Sequence, residues 1–340
     1  MKQTIIVLIA FLSSLSSCSK ENGTGNSGSA PSNLVVTAIV IPDNSGNVSL
    51  TATAANAVTY EFNFGNNSFQ TVPTGSVTYK YAVGDTYTVT VIAKSANGQA
   101  ISKTVSVTVV LVLPLFWAEE FNTDGAPDPA KWGYDLGAGG WGNAELQHYT
   151  NRPENAIVQG GVLKINAIKE SFSGSAYTSA RLLSQNKFAF NYGKVEVRAK
   201  LPVGVGTWAA IWMLGSNINT VSWPACGEID IMEHLGREVN KIYGTLHYPG
   251  RSGGNADGSN KIITNATTEF HIYKLEWSAA SIKILVDDQL IHTVANSASI
   301  PFNQDFFFIL NVAMGGGFGG AVDPAFTNAT MEVDYIRVYR

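Results

Sequence analysis

The chain has 340 residues, of which 45% are hydrophobic and only 14% charged, and its formal net charge is −4. That length is too great for one typical domain and suits two. An acidic balance with no Lys/Arg run excludes nucleic acid as a partner, and a surface so poor in charge must rely on Ser, Thr, Asn and Gly, as in an exported β protein rich in turns.

The N-terminal residues read as an export signal. Lys2 is followed by an apolar stretch from Ile5 to Leu12 and then by small residues, the pattern of a signal peptide. The stretch is too short to span a bilayer. Leu15-Ser16-Ser17-Cys18 resembles the bacterial lipobox, in which the chain is cut before a cysteine that then receives lipid. An ordinary secretory signal with an incidental cysteine is the competing reading. On the lipobox reading residues 1–17 are removed, and Cys18 becomes the lipidated first residue. The protein is then an exported bacterial lipoprotein held at the outer membrane or cell surface by its lipid anchor. Cys226 is the only other cysteine; no disulfide is expected, and Cys226 reads as a small packing residue.

Residues 18–32 are rich in Gly, Ser and Asn and read as a flexible tether. From 33 to 110 polar and β-branched residues alternate, as in Val48-Ser49-Leu50-Thr51-Ala52-Thr53 and Tyr87-Thr88-Val89-Thr90-Val91. Short strands between Gly/Asn turns predict a small immunoglobulin-like β-sandwich. Tyr60-Glu61-Phe62-Asn63-Phe64-Gly65, with Tyr79-Lys80-Tyr81 and the run from Gly84 to Val91, resembles a PKD (polycystic kidney disease) domain with a degraded core motif. With no Trp and no His in it, this region reads as a spacer, with weak sugar binding as the alternative.

Residues 111–340 hold all seven tryptophans and all five histidines. Strand patterns dominate, as in Gly161–Ala167, Lys194–Lys200, Ser281–Asp287 and Met331–Tyr339, and no long stretch has a helical period. The prediction is all-β: a jelly-roll sandwich of two antiparallel sheets.

Within it lies Gly227-Glu228-Ile229-Asp230-Ile231-Met232-Glu233-His234. Alternate strand residues share a face, so Glu228 and Asp230 face one way and Ile229 and Ile231 the other. Glu233 breaks the parity unless one extra residue bulges out of the strand, and bulges concentrate beside active sites. With Met232 as the extra residue, all three acids line one face. Glu228 and Glu233 are then ~13 Å apart at Cα, and if each side chain leans inward by about 4 Å the carboxyl groups come within about 5 to 6 Å. That is the separation of a retaining glycosidase. An acidic solvent-facing strand is the plainer alternative. His234 should face away and pack.

The flanking sequence resembles glycoside hydrolase family 16 of the bacterial laminarinase (endo-β-1,3-glucanase) type over residues 116–340. The landmarks fall in order: Trp117–Phe121, Gly140–Gln147, Tyr177–Leu182, Gly193–Pro202, Trp208–Gly215, Trp223–Gly227 with the acidic run, Gly244–Tyr248 and Leu310–Gly316. The resemblance implies that Glu228 is the nucleophile and Glu233 the acid/base, with Asp230 between them governing the proton. It implies that Trp208 and Trp223 line the glycone side, that Asn143, Glu145 and Arg181 meet glucose hydroxyls, and that His247 sits near the acid/base. Sugar rings stack on aromatics, so Trp212 is a third platform or else a core residue; Trp117, Trp132 and Trp277 read as core. Ala209 stands where the family usually has proline, which implies a looser cleft edge. Catalysis needs no cofactor. The family often carries a structural calcium on the convex face, and Glu120, Gly161 and Asp334 match its positions, with an empty site the equal alternative.

The expected activity is a retaining endo-β-1,3-glucanase with β-glucan as substrate, acting as a monomer. A mixed-linkage β-1,3/1,4-glucanase is the near alternative. Agarases and carrageenases would want cleft Arg/Lys for sulfate, and residues 208–220 have none. A non-catalytic glucan-binding protein would be expected to lack one of the acids.

Overall fold

The structure is a computed structural model that describes residues 29–340. The export signal, Cys18 and most of the tether lie outside the described residues. The first strand begins at Ser32. The chain divides between Val112 and Leu113 into two compact units, so the division falls inside the Leu/Val/Pro joint at 111–115.

The first unit has a three-stranded sheet (Ser32–Val40, Asn47–Ala55, Ser76–Lys80) and a four-stranded one (Phe69–Val72, Thr59–Asn63, Thr86–Lys94, Ala100–Thr108). Period-two patterning decides which side chains turn inward. Val48, Leu50 and Ala52 meet Val89, Val91 and Ala93 in a common core. Buried Tyr81 satisfies its hydroxyl by donating to the Phe64 carbonyl oxygen at 2.9 Å.

The second unit is also all-β, with a ten-stranded and a seven-stranded sheet. Across the seven-stranded sheet the order is Asp257–Ile262, Lys241–His247, Glu228–Leu235, Thr207–Gly215, Phe306–Met314, Arg181–Leu183 and Gly133–Asp135. Pairing is antiparallel throughout that sheet. The ten-stranded sheet departs from the expected pattern at one edge, where Gln147–Tyr149 runs parallel to Ser175–Ser179. One continuous core lies between the sheets, drawing Val195 and Val197 from one side and Ile211, Met213, Ile229 and Leu310 from the other.

Trp132 and Trp277 are buried in this core and Trp117 packs against it. Ala209 is fully buried and paired on both flanks, with Val312 and His234, so the looser edge expected there is not seen. Cys226 is buried, and Leu183, Leu214 and Phe307 share its small apolar cluster.

Candidate active site

The parity break in the acidic strand is resolved by a bulge. Asp230 pairs with Thr245 and Glu233 with Tyr243, so Ile231 and Met232 together oppose Gly244. On the other flank Asp230 pairs with Trp212 and Met232 with Ile211. The residue left without a partner there is therefore Ile231, one position before the Met232 expected from sequence. Ile231 and Met232 both turn into the core beside Ile229. Two adjacent apolar side chains can share one face only across such a bulge. Gly244, opposite it, has no room for a side chain: a Cβ would come within 2.7 Å of Ile284 Cγ2.

Glu228, Asp230 and Glu233 line one cleft. Trp223 Nε1 donates to Glu228 Oε2 at 2.8 Å. Trp208 Nε1 donates to Glu233 Oε1 at 3.0 Å, and Thr245 Oγ1 to Glu233 Oε2 at 3.1 Å. His247 Nε2 lies 3.2 Å from Asp230 Oδ2 and 3.8 Å from Glu228 Oε1. The Nδ1 atom of His247 accepts from the Gly253 main-chain N–H at 3.1 Å.

Burial pushes all three carboxyl groups up from their ordinary range. Like charge adds to it: Asp230 acts on Glu228, and Glu233 on Asp230. Trp208 and Thr245 oppose the rise at Glu233 by donating to its ionised form. The direction is common to the cluster, which titrates as a unit, so roles must be divided by position.

The cleft has a volume of about 950 Å³. Trp208, Trp212 and Trp223 all line it, as do Asn143, Glu145, Arg181 and His247. Trp223 is 44% exposed and offers a free face. Trp212 is fixed by donating to Asn311 Oδ1 at 2.8 Å, with the Arg181 guanidinium 4.9 Å from its ring. Arg181 also stacks on Trp141 and pairs with Asp135 at 3.0 Å. Asn143 and Gln147 donate to Glu145 at 3.0 and 2.6 Å, leaving a fixed rim of amide and carboxylate groups.

Several cleft residues escaped sequence reasoning: Trp141, Tyr243, Thr245, Asn311 and Phe318. Three had a legible signal. Tyr243, Thr245 and His247 alternate along one strand face, and Asn311 is the lone polar residue in the apolar run Phe306–Met314. His234 is buried, with Nε2 3.0 Å from the Val239 carbonyl oxygen, and takes no part in the cleft.

Asp334 lies in a strand of the other sheet, with Glu120 and Gly161 just outside its neighbouring strands. Leu163 pairs with Val333 and Glu119 with Ile336, so the main chain at all three positions converges on one stretch of the Asn328–Tyr339 strand. The acidic side chains are otherwise engaged. Glu120 takes a two-pronged contact from Arg337 at 2.7 and 2.8 Å, and Asp334 accepts from Arg198. Both carboxylates are thus engaged by guanidinium groups, and the expected calcium would be held mainly by main-chain carbonyl oxygens with one aspartate.

Residues 143–337 match the family described as glycosyl hydrolases family 16. The chain is 46% identical over 243 residues to the beta-glucanase of Rhodothermus marinus, covering 66% of this chain and 85% of that one. The X-ray structure of the laminarinase from Rhodothermus marinus superposes with a TM-score of 0.65 at 46% identity, over 67% of this chain and 98% of the other. A LamA variant from Z. galactanivorans, in complex with laminaritriose and laminaritetraose, gives 0.61 at 45% identity, over 66% and 98%.

Proposed function

Because this chain belongs to glycosyl hydrolases family 16, we propose that it is an endo-acting β-1,3-glucanase of the laminarinase type, working by a retaining double displacement. The observation that carries the reading is the bulge, which sets Glu228, Asp230 and Glu233 into one tryptophan-lined cleft. In the first step the Glu228 carboxylate attacks the anomeric carbon while Glu233 gives its proton to the departing glycosidic oxygen. A covalent glycosyl-enzyme results. In the second step water attacks that carbon, Glu233 takes the water's proton, and Glu228 leaves as carboxylate. Asp230 lies between them in the strand. Its charge favours the protonated form of its neighbours, which is the form Glu233 needs at the start. The tryptophan faces stack sugar rings, and the Asn143–Glu145 rim meets hydroxyls.

A binding protein without catalysis has no use for three closely set carboxylates, two of them buried, whose proximity is costly. A sulfated substrate would seek cationic side chains. Among the cleft-lining residues Arg181 is the only Lys or Arg, and it is already engaged. Release of reducing ends from laminarin tests the activity. The first product should carry the β anomer by proton NMR, and initial α anomer would mean inversion. Comparing products from laminarin and barley-type mixed-linkage glucan ranks the two substrates.

The export reading is part of the same proposal. Cys18→Ala should release the protein from membranes, and a variant that still sediments with them would refute the lipid anchor. The first unit is read as a spacer. A chain beginning near Leu113 should hydrolyse soluble glucan at close to the full rate; loss of most activity would mean the first unit helps build the cleft.

A further inference from the structure

Arg237 follows the acid-bearing strand by two residues and pairs with no carboxylate among the described residues. Its guanidinium is instead spent on main chain: Nη1 donates to the carbonyl oxygens of Phe318 and Gly319 at 2.5 and 2.8 Å. The preceding Gly236 admits no side chain, since a Cβ would lie 1.8 Å from the Gly204 carbonyl oxygen. The main chain that carries Arg237 is therefore fixed. The turn it holds, Gly316–Gly319, is tightly seated. Gly317 N–H donates to the Asn143 carbonyl oxygen at 2.8 Å, and a Cβ on Gly319 would touch Trp208 Cβ at 3.4 Å. The Phe318 ring meets Trp208 edge-on at 5.5 Å and Tyr243 at 5.1 Å. Trp208 Nε1 is the donor to Glu233 Oε1.

We propose that Arg237 is a positioning residue for Glu233, acting through the Phe318 turn and the Trp208 indole; this rests on the acid/base role given to Glu233 above. The guanidinium holds two carbonyls, the carbonyls hold the Phe318 ring, and the ring braces the indole whose N–H points at the carboxylate. Without Arg237 the turn relaxes and Trp208 loses its brace. A donor to the ionised carboxylate favours ionisation, so Glu233 would then keep its proton to higher pH. The other groups that face Glu233 stay in place: Glu228 and Asp230 on its own strand, and His247 and Tyr243 on the neighbouring one. The Thr207–Gly215 strand presents Trp208, Ala210, Trp212 and Leu214, none of which titrates.

The test is the pH dependence of kcat/KM on laminarin for the full chain and for R237A, R237K, W208F and R237A/W208F. R237A should move the alkaline limb upward by about half a unit to one unit, the equivalent of one net hydrogen bond. R237K, still able to donate to a carbonyl, should recover most of the wild-type profile. W208F should shift the limb the same way, and the double variant should match W208F. An R237A limb that stays in place, whatever happens to thermal stability, overturns the proposal, as does an additive double variant. Should the wild type itself not cleave laminarin, the parent reading fails. The coupling is then judged by NMR titration of the Glu233 carboxyl carbon in wild type and R237A, where an unchanged midpoint also overturns it.

Discussion

The two sheets of the second unit treat charge in opposite ways. On the ten-stranded sheet and its flanking turns, acids and bases find each other, within a strand or between neighbours: Lys200 with Glu332 at 2.9 Å, Lys194 with Glu196 at 2.9 Å, Lys274 with Asp288 at 2.6 Å, and Arg337 with Glu120. On the seven-stranded sheet, three carboxylates share a cleft with a single, otherwise engaged arginine. The paired face keeps period-two alternation, whereas the acid cluster needs the bulge that interrupts it. The paired face lets the sheet meet water at little electrostatic cost. The unpaired face holds like charges together that would separate if the strand were free, and it is chiefly burial in that cleft that keeps the proton on Glu233.

Removing a member of the cluster should have the largest effect. Glu228→Ala should lower turnover on laminarin by on the order of 10⁴-fold or more. Glu233→Ala should cost about 10² to 10⁴-fold. Circular dichroism should show both folded. Azide, entering as nucleophile without needing a base, should partly rescue Glu233→Ala. Near-normal turnover in either variant would dissolve the contrast between the faces.

The bulge sharpens the comparison next. Deleting Met232 restores strict alternation, so either Glu233 turns into the core or every later residue of the strand changes face. Activity should vanish and thermal stability should drop. Met232→Leu roughly conserves volume and should cost under about 1.5 kcal/mol with substantial activity kept. Wild-type turnover in the deletion would refute the geometry.

The two faces should also answer pH with opposite sign. Folding raises the pKa of Asp230, so the folded state binds more protons and stability falls as pH climbs from about 4, the unfolded value. Asp230→Asn should therefore unfold at a higher temperature than wild type at pH 8, with the advantage shrinking toward pH 4, while turnover drops. Glu120 runs the other way: the Arg337 contact lowers its pKa, so its contribution is present above the unfolded value and lost as the solution is acidified through the folded one. That pair is a third exposed. Glu120→Gln should cost under about 1 kcal/mol at pH 7, nothing at low pH, and leave turnover unchanged. Parallel pH profiles for the two variants would erase the distinction.

Much of this was legible in sequence. The break in parity at Glu233 demands a bulge, because a charged side chain cannot sit in the apolar layer beside Ile229. Which residue loses its partner was not legible, since Ile231 and Met232 are both apolar and both enter the core; only the registers of two neighbouring strands decide it. The cleft acids and tryptophans stand out by type. Phe318 and Arg237 do not, because their roles depend on a glycine turn that lies about eighty positions from Arg237 in the chain and touches it only after folding. The acidic side chains matched to calcium show the reverse: Glu120 and Asp334 occupy the matching positions, yet Arg337 and Arg198 reach them first.

The hydrogen bond from the Gly253 main chain to His247 Nδ1 settles where a hydrogen atom resides. In a neutral imidazole one nitrogen is bare and the other carries the proton. An N–H pointed at Nδ1 requires that nitrogen to be the bare one, so the hydrogen is on Nε2, the nitrogen that lies 3.2 Å from Asp230 Oδ2 and 3.8 Å from Glu228 Oε1. The tautomer of His247 is thus written by the backbone of a glycine loop rather than by any side chain, and the ring presents the acid cluster with a donor rather than a lone pair.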